Sequence, residues 1–166
     1  MATRPGRWFA LAAAATLIML SSGCQAAEQS GFGDGGATIC MDRAPGEEVA
    51  LGDVFSIPAG VRLVIEDVEV EQTGVAISGL FALPPDADGE MIGAVDLPLD
   101  PELWAQRTPL EGAAFEGEQA VSALIVASRT GDAEGTISGI RLAYTIDGQL
   151  YADTSATSFR ISDDCD

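Results

Sequence analysis

Short apolar runs rich in Val and Ile follow one another along the chain beyond residue 39, separated by Gly, Pro and Asp. Long helical periodicity is absent from this region. Such regularly spaced strands with turn signals between them predict an all-β fold, which we expect to be an immunoglobulin-like antiparallel β-sandwich. The candidate strands are Glu48–Leu51, Val54–Ile57, Arg62–Gln72, Gly74–Leu83, Met91–Leu99, Ala120–Thr130, Thr136–Ile146, Gln149–Asp153 and Ser158–Ile161.

The segment 142–153 (LAYTIDGQLYAD) predicts a β-hairpin. Asp147-Gly148 is a favoured two-residue turn, because both central positions of that turn need a positive φ. The resulting register sets Tyr144 opposite Tyr151. We expect the face that carries both rings to point into the core, where the rings stack; the alternative is an exposed aromatic binding platform.

One short helix is predicted in the connection 100–119. Asp100 can cap its N-terminus, Pro101 suits the first helical position, and Pro109 prevents a long continuation. Trp104 lies in the same connection and is our candidate for a partner contact, since tryptophan often anchors an interface. The alternative is that Trp104 closes an open end of the sandwich.

A short sequence is repeated within the predicted strands: ISGL at 77–80 returns as ISGI at 137–140. Glycine inside a strand often marks a β-bulge or a close backbone approach. The repetition predicts two corresponding hairpins, unless it is a chance similarity.

The N-terminus has the pattern of a secretory signal peptide. Arg4 and Arg7 provide the basic start, and Trp8–Leu20 follows as thirteen residues in which Thr16 is the only polar one. A membrane-spanning helix needs about 20 apolar residues, so this stretch is too short to span. The alternative is a buried N-terminal helix.

The stretch 20–24 (LSSGC) resembles the lipobox of bacterial lipoproteins, which are cleaved just before a cysteine that then carries lipid. Gly23 and Cys24 match the pattern, whereas Ser21 stands where the family usually has an aliphatic residue. The resemblance covers only the first 24 residues. It implies lipid attachment at Cys24 and anchoring at the extracytoplasmic face of the cell membrane; the alternative is cleavage after Ala26 and secretion.

These signals divide the chain into a signal peptide (1–23), a flexible Gly-rich tether (24–38) and one β-sandwich domain (39–166). Either mode of processing leaves Cys40 and Cys165 as the cysteines available for pairing. In an exported chain they predict a disulfide that joins the two ends of the domain, with two free thiols as the alternative.

The charge and composition exclude several function classes. The chain has a formal net charge of −18, and removal of two arginines with the signal peptide makes it more negative by two. Nucleic acid is therefore not an expected partner, because phosphate binding depends on Lys and Arg. The chain lacks both His and Lys, which excludes histidine-based nucleophiles and metal sites and lysine Schiff bases. The use of Arg without Lys resembles the composition of actinobacterial proteins.

Carboxylates are the remaining reactive groups. Asp86, Asp88 and Glu90 alternate along a short segment and are the candidate calcium ligands. An EF-hand loop has Gly at its sixth position, whereas Gly89 is fourth here, so an ordinary acidic turn is the favoured interpretation.

We therefore expect a non-enzymatic, lipid-anchored binding or scaffolding module of the cell envelope, without a cofactor. Its partners would be the membrane, through the anchor, and an envelope protein or polymer. The alternatives are a small carboxylate-dependent hydrolase that acts on envelope polymer and a calcium-dependent adhesion module.

Overall fold

The computed structural model describes residues 30–165, and this region forms the predicted β-sandwich with one short helix. The predicted signal peptide and Cys24 lie outside the described residues. The elements are β1 (Gly31–Phe32), β2 (Thr38–Asp42), β3 (Glu48–Ile57), β4 (Arg62–Thr73), β5 (Val75–Leu83), β6 (Ala94–Asp96), α1 (Pro101–Trp104), β7 (Thr108–Pro109), β8 (Ala114–Glu116), β9 (Gln119–Arg129), β10 (Gly135–Ile146), β11 (Gln149–Thr154) and β12 (Ser158–Ser162).

The strands form two six-stranded sheets. Sheet A has the order β1-β3-β9-β5-β7, and β6 pairs with β3. Sheet B has the order β2-β12-β10-β4-β8, and β11 pairs with β10. Neighbouring strands are antiparallel except for β2 and β12, which are parallel. A parallel pair requires a long crossover, and here the rest of the domain provides it.

The sequence locates the longer strands well. Two candidates merge into β3, because Gly52 and Asp53 continue the pairing with β9. The candidate Met91–Leu99 shrinks to the three residues of β6. The helix begins after Asp100, as predicted, and ends at Trp104.

The β10–β11 hairpin has the predicted register. Tyr144 pairs with Tyr151, and their rings stack with centroids 5.9 Å apart. Asp147 and Gly148 adopt φ values of 51° and 81° at the turn. Tyr144 is buried in the core, so the platform alternative does not apply to it.

The two ends of the domain meet, as predicted, in a disulfide between Cys40 and Cys165 whose Cα atoms are 5.6 Å apart. The bond joins the end of the chain to β2 and reinforces the parallel β2–β12 pair. Closing a loop of this length stabilises a fold by roughly 4–5 kcal/mol in the chain-entropy treatment.

Part of the predicted tether 24–38 belongs to the sandwich, because β1 pairs with the end of β3. The ring of Phe32 packs against Phe55 at a centroid distance of 5.2 Å, and its N–H donates to Asp153 at 2.7 Å. Gly31 permits this approach, since a Cβ there would lie 2.2 Å from the Asp153 carboxylate. Phe32 is partly buried against the core, and this packing draws a segment of tether-like composition into the sandwich.

Each repeated Ser-Gly sequence forms a β-bulge. In β5 the register shifts at Ser78, whose hydroxyl oxygen lies 3.3 Å from the Val126 carbonyl oxygen. In β10 the shift occurs at Ser138, whose hydroxyl donates to the Glu71 carbonyl at 3.4 Å. The prediction of two corresponding hairpins is wrong, because β5 pairs with β9 and β7 and not with β6.

Sheet A is buried on both faces. Ile125 of β9 points into the core between the sheets, whereas its neighbour Leu124 points to the outer face and is equally inaccessible. Leu83 of β5 is also fully buried outside the main core cluster. The main core includes Val49, Leu51, Phe55, Ile65, Ile137, Leu142 and Phe159.

The connection 84–107 crosses the outer face of sheet A on both sides of β6, which itself pairs at the edge of that sheet. The N–H of Gly52 donates to the Gly93 carbonyl at 2.8 Å. A Cβ at Gly52 would lie 2.5 Å from the Leu124 side chain, so glycine is required where the connection crosses β3. This segment forms a third layer over the sandwich.

The sandwich has two ends, which we name by a residue at each. The Arg129 end contains 43–48, 129–135 and 162–165, and the Gly148 end contains 57–62 and 146–149. At the first end the Arg129 side chain is only 1% exposed. Its guanidinium donates to the carbonyls of Asp132 at 2.9 Å and Arg43 at 3.0 Å.

We predict that Arg129→Ala lowers the free energy of unfolding by about 2–4 kcal/mol, because it leaves two buried carbonyls without their donors and creates a cavity. Urea titration followed by circular dichroism measures the change. Arg62→Ala is the control: its ion pair with Glu116 is solvent-exposed, so it should change stability by no more than about 1 kcal/mol. Equal losses in the two variants would contradict this role for Arg129.

Candidate functional site

A groove of about 1030 Å³ lies on the outer face of sheet A, towards the Arg129 end. We call it the Trp104 groove. Its floor is formed by β5 and β9, one wall by the connection after β6, and its closed end by the turn before β3. The floor residues are Ser78, Phe81 and Val126. The groove exists because the connection 84–107 leaves this part of sheet A uncovered.

Trp104, the predicted contact residue, forms part of the groove wall and is half-buried. Its ring meets Phe81 edge-on, with centroids 5.4 Å apart, and the Arg107 guanidinium lies 4.4 Å from its ring centroid. Arg107 also donates to the Trp104 carbonyl at 2.8 Å. Trp104 packs on the outer face of sheet A, so the alternative that it closes an open end of the sandwich is wrong.

The short helix fixes the position of Trp104. The Asp100 carboxylate accepts the N–H groups of Glu102 at 2.8 Å and Leu103 at 3.1 Å, which is the usual N-cap arrangement. Pro98 and Leu99 precede this cap and complete the apolar part of the wall. The tryptophan is therefore held by a capped turn, a ring contact and a stacked guanidinium.

The closed end of the groove is acidic. Glu48 accepts a hydrogen bond from the Ser78 hydroxyl at 2.6 Å. This bond holds the Glu48 carboxylate beside the floor of the groove. Glu47 accepts the N–H of Ala44 at 3.2 Å. Asp96, on the wall, forms an ion pair with Arg43. The groove thus combines an apolar, aromatic side with a carboxylate-rich end.

The calcium candidates Asp86, Asp88 and Glu90 form an acidic turn. One oxygen of Asp86 accepts the N–H groups of Asp88 at 3.0 Å and Glu90 at 2.8 Å. Within residues 30–165 no group of three or more Asp, Glu, Cys or His side chains is arranged to hold a metal ion. In this arrangement the Asp86 carboxylate stabilises the turn by accepting two backbone N–H groups.

A second polar cluster lies where β1, β3 and β11 meet. Asp53 accepts a hydrogen bond from the Ser155 hydroxyl, and the Tyr144 hydroxyl lies 3.2 Å from that of Ser30. Burial raises the pKa of Tyr144, and the nearby Asp153 carboxylate acts in the same direction, against the effect of the Ser30 hydrogen bond. These contacts join the two sheets and have a structural role.

Sequence patterns did not locate the groove, because its residues come from distant parts of the chain. Glu48, Ser78 and Val126 belong to three strands, and each is unremarkable in its own segment. One usable signal was the nearly continuous apolar run of β9, since a strand apolar on both faces must be covered on both.

No helix within residues 30–165 is long and apolar enough to cross a membrane. The chain matches no protein-family model and shows no significant match to a curated protein sequence.

The raised pKa of Tyr144 predicts that the protein loses stability at alkaline pH. Because its folded pKa is raised, the unfolded state releases the phenolic proton first, near the ordinary tyrosine value of about 10. The stabilisation is complete below that pH and is lost as the pH rises through the folded pKa. Urea titrations between about pH 8 and pH 11 should show a smaller decline in Tyr144→Phe than in the unmodified protein. Equal declines would contradict the prediction.

Proposed function

We propose that this protein is a lipid-anchored, extracytoplasmic binding module of the cell envelope that holds its ligand in the Trp104 groove. The carrying observation is the groove itself, which is preformed and open and places an aromatic wall opposite carboxylates. A site with an apolar lining and a few oriented polar groups is typical of ligand recognition. The lack of His and Lys in the sequence favours binding over nucleophilic catalysis.

The anchor and the groove would lie at opposite ends of the sandwich. The described chain starts at Ser30, six residues after Cys24, so the connecting segment can span at most about 20–22 Å. Next to Ser30, β1 pairs with Phe55 and Ser56 near the Gly148 end. A lipid on Cys24 therefore favours an orientation with the Gly148 end towards the membrane and the groove towards the envelope.

The length of the sandwich separates the two sites. Strand β3 has 10 residues and spans about 33 Å, with the groove beside its first residue, Glu48, and β1 beside its last ones. The net negative charge would also keep the domain from lying flat on anionic lipid, since such surfaces attract basic segments. Both features support presentation of the groove away from the bilayer.

The anchor has a direct test. We predict that Cys24→Ala moves the protein from the membrane fraction to the soluble extracytoplasmic fraction or blocks its processing, because the lipidated residue is lost. Fractionation with immunoblotting and intact mass measurement report both outcomes. Cys40→Ser/Cys165→Ser is the matched control, since it removes two cysteines and should leave the lipid in place. Unchanged membrane association of Cys24→Ala would refute the anchor.

The groove has a separate test in intact cells. We predict that a photoreactive residue at Leu99, on the groove wall, captures a specific partner, whereas one at Leu150, which is 65% exposed near the Gly148 end, does not. Adding Trp104→Ala should reduce capture from Leu99 severalfold, because the wall loses its largest contact surface. Equal capture at both positions, or no effect of Trp104→Ala, would count against binding in the groove.

A further inference from the structure

We infer that the ligand of the Trp104 groove is a protein segment in which a cationic side chain, Arg or Lys, stands next to apolar residues. The inference rests on the proposed function and adds the chemistry of the partner. It follows from a charge imbalance in the groove that the arginines of residues 30–165 leave uncompensated.

Every arginine in residues 30–165 is already engaged. There are six of them, and the region has no Lys or His. Five form ion pairs with carboxylates, and Arg107 lies over the rings of Trp104 and Phe81. The ion pairs are Arg43–Asp96, Arg62–Glu116, Arg129–Asp163, Arg141–Glu69 and Arg160–Glu134.

Glu47 and Glu48 have no arginine within ion-pair distance among the described residues. Arg43, the one cation that lines the groove, is held by Asp96. The closed end therefore keeps two negative charges near the apolar floor residues Phe81 and Val126. A cationic group on the ligand would be attracted there, and complementary charge also selects against acidic partners.

The remainder of the groove favours apolar side chains on the same ligand. Val126 forms part of the floor and is 5% exposed, and Leu97 and Leu99 lie along the wall with Trp104. The space of about 1030 Å³ exceeds what a single amine or a metal ion would fill. A peptide can place its cation at the acidic end and its apolar groups along this side.

A peptide fits better than a glycan. Sugars are commonly recognised by stacking on open aromatic faces, but Arg107 covers one face of Trp104, and Phe81 meets the ring edge-on. The aromatic pair therefore offers an apolar wall more than a stacking platform. Glycan binding remains an outcome that the experiment distinguishes.

The test uses the processed, lipidated protein in detergent and a fluorescein-labelled peptide in which Arg alternates with Val, read by fluorescence anisotropy. We expect saturable binding that weakens with salt. Glu47→Gln/Glu48→Gln should weaken it about tenfold, which corresponds to about 1.4 kcal/mol. The matched control is Asp67→Asn/Glu71→Gln, which removes the same charge from the exposed face of β4 and should leave binding unchanged. Thermal unfolding verifies that all variants fold.

Several results would overturn the inference. If Asp67→Asn/Glu71→Gln weakens peptide binding as much as Glu47→Gln/Glu48→Gln does, the attraction is a general effect of net charge. If a peptide with Gly in place of Val binds equally well, the apolar side of the groove contributes nothing. If a peptide with Glu in place of Arg binds, the acidic end of the groove does not select a cationic side chain. If a chitin oligosaccharide binds and the Arg-Val peptide does not, the inference fails while the proposed binding groove stands. The crosslinking experiment in cells, with and without Trp104→Ala, tests the proposed function independently.

Discussion

Burial of β9 on both faces is the constraint on which the rest of the architecture depends. Its side chains alternate between the two faces, yet both sets are apolar: Ile125 faces sheet B, and Leu124 faces outward. A sandwich of two sheets covers only one of these faces. The connection 84–107 must therefore fold back over sheet A, and the place where its coverage stops is the groove. The candidate site is thus a consequence of how the third layer ends.

The sequence predicts the features that depend on local chemistry. Asp147-Gly148 determines its own turn and with it the Tyr144–Tyr151 register, and the long Val- and Ile-rich strands are recognisable from their patterns. The disulfide follows from the prediction of export and from the two cysteines within the domain. In contrast, β1 and β7 have two residues each, too few for any periodicity. Their pairing depends on tertiary contacts, such as Phe32 against Phe55, that no local pattern contains.

The use of arginine as the cationic residue of the domain links its surface charge to its fold. Arginine is the only cationic residue after the predicted signal peptide, and the structure uses these residues as ties between segments: Arg129 joins the β2–β3 and β9–β10 connections, and Arg160 pairs with Glu134. Most carboxylates therefore remain unneutralised at the surface. On β4 this arrangement also protects an edge, since the carboxylates of Asp67 and Glu71 would repel those of another copy that paired there.

The position of Cys165, fixed by its disulfide with Cys40, has a practical consequence for engineering. Cys165 lies at the same end of the sandwich as the groove. A fluorescent protein attached there would crowd the groove, whereas an insertion at the Gly148 hairpin would project from the opposite end.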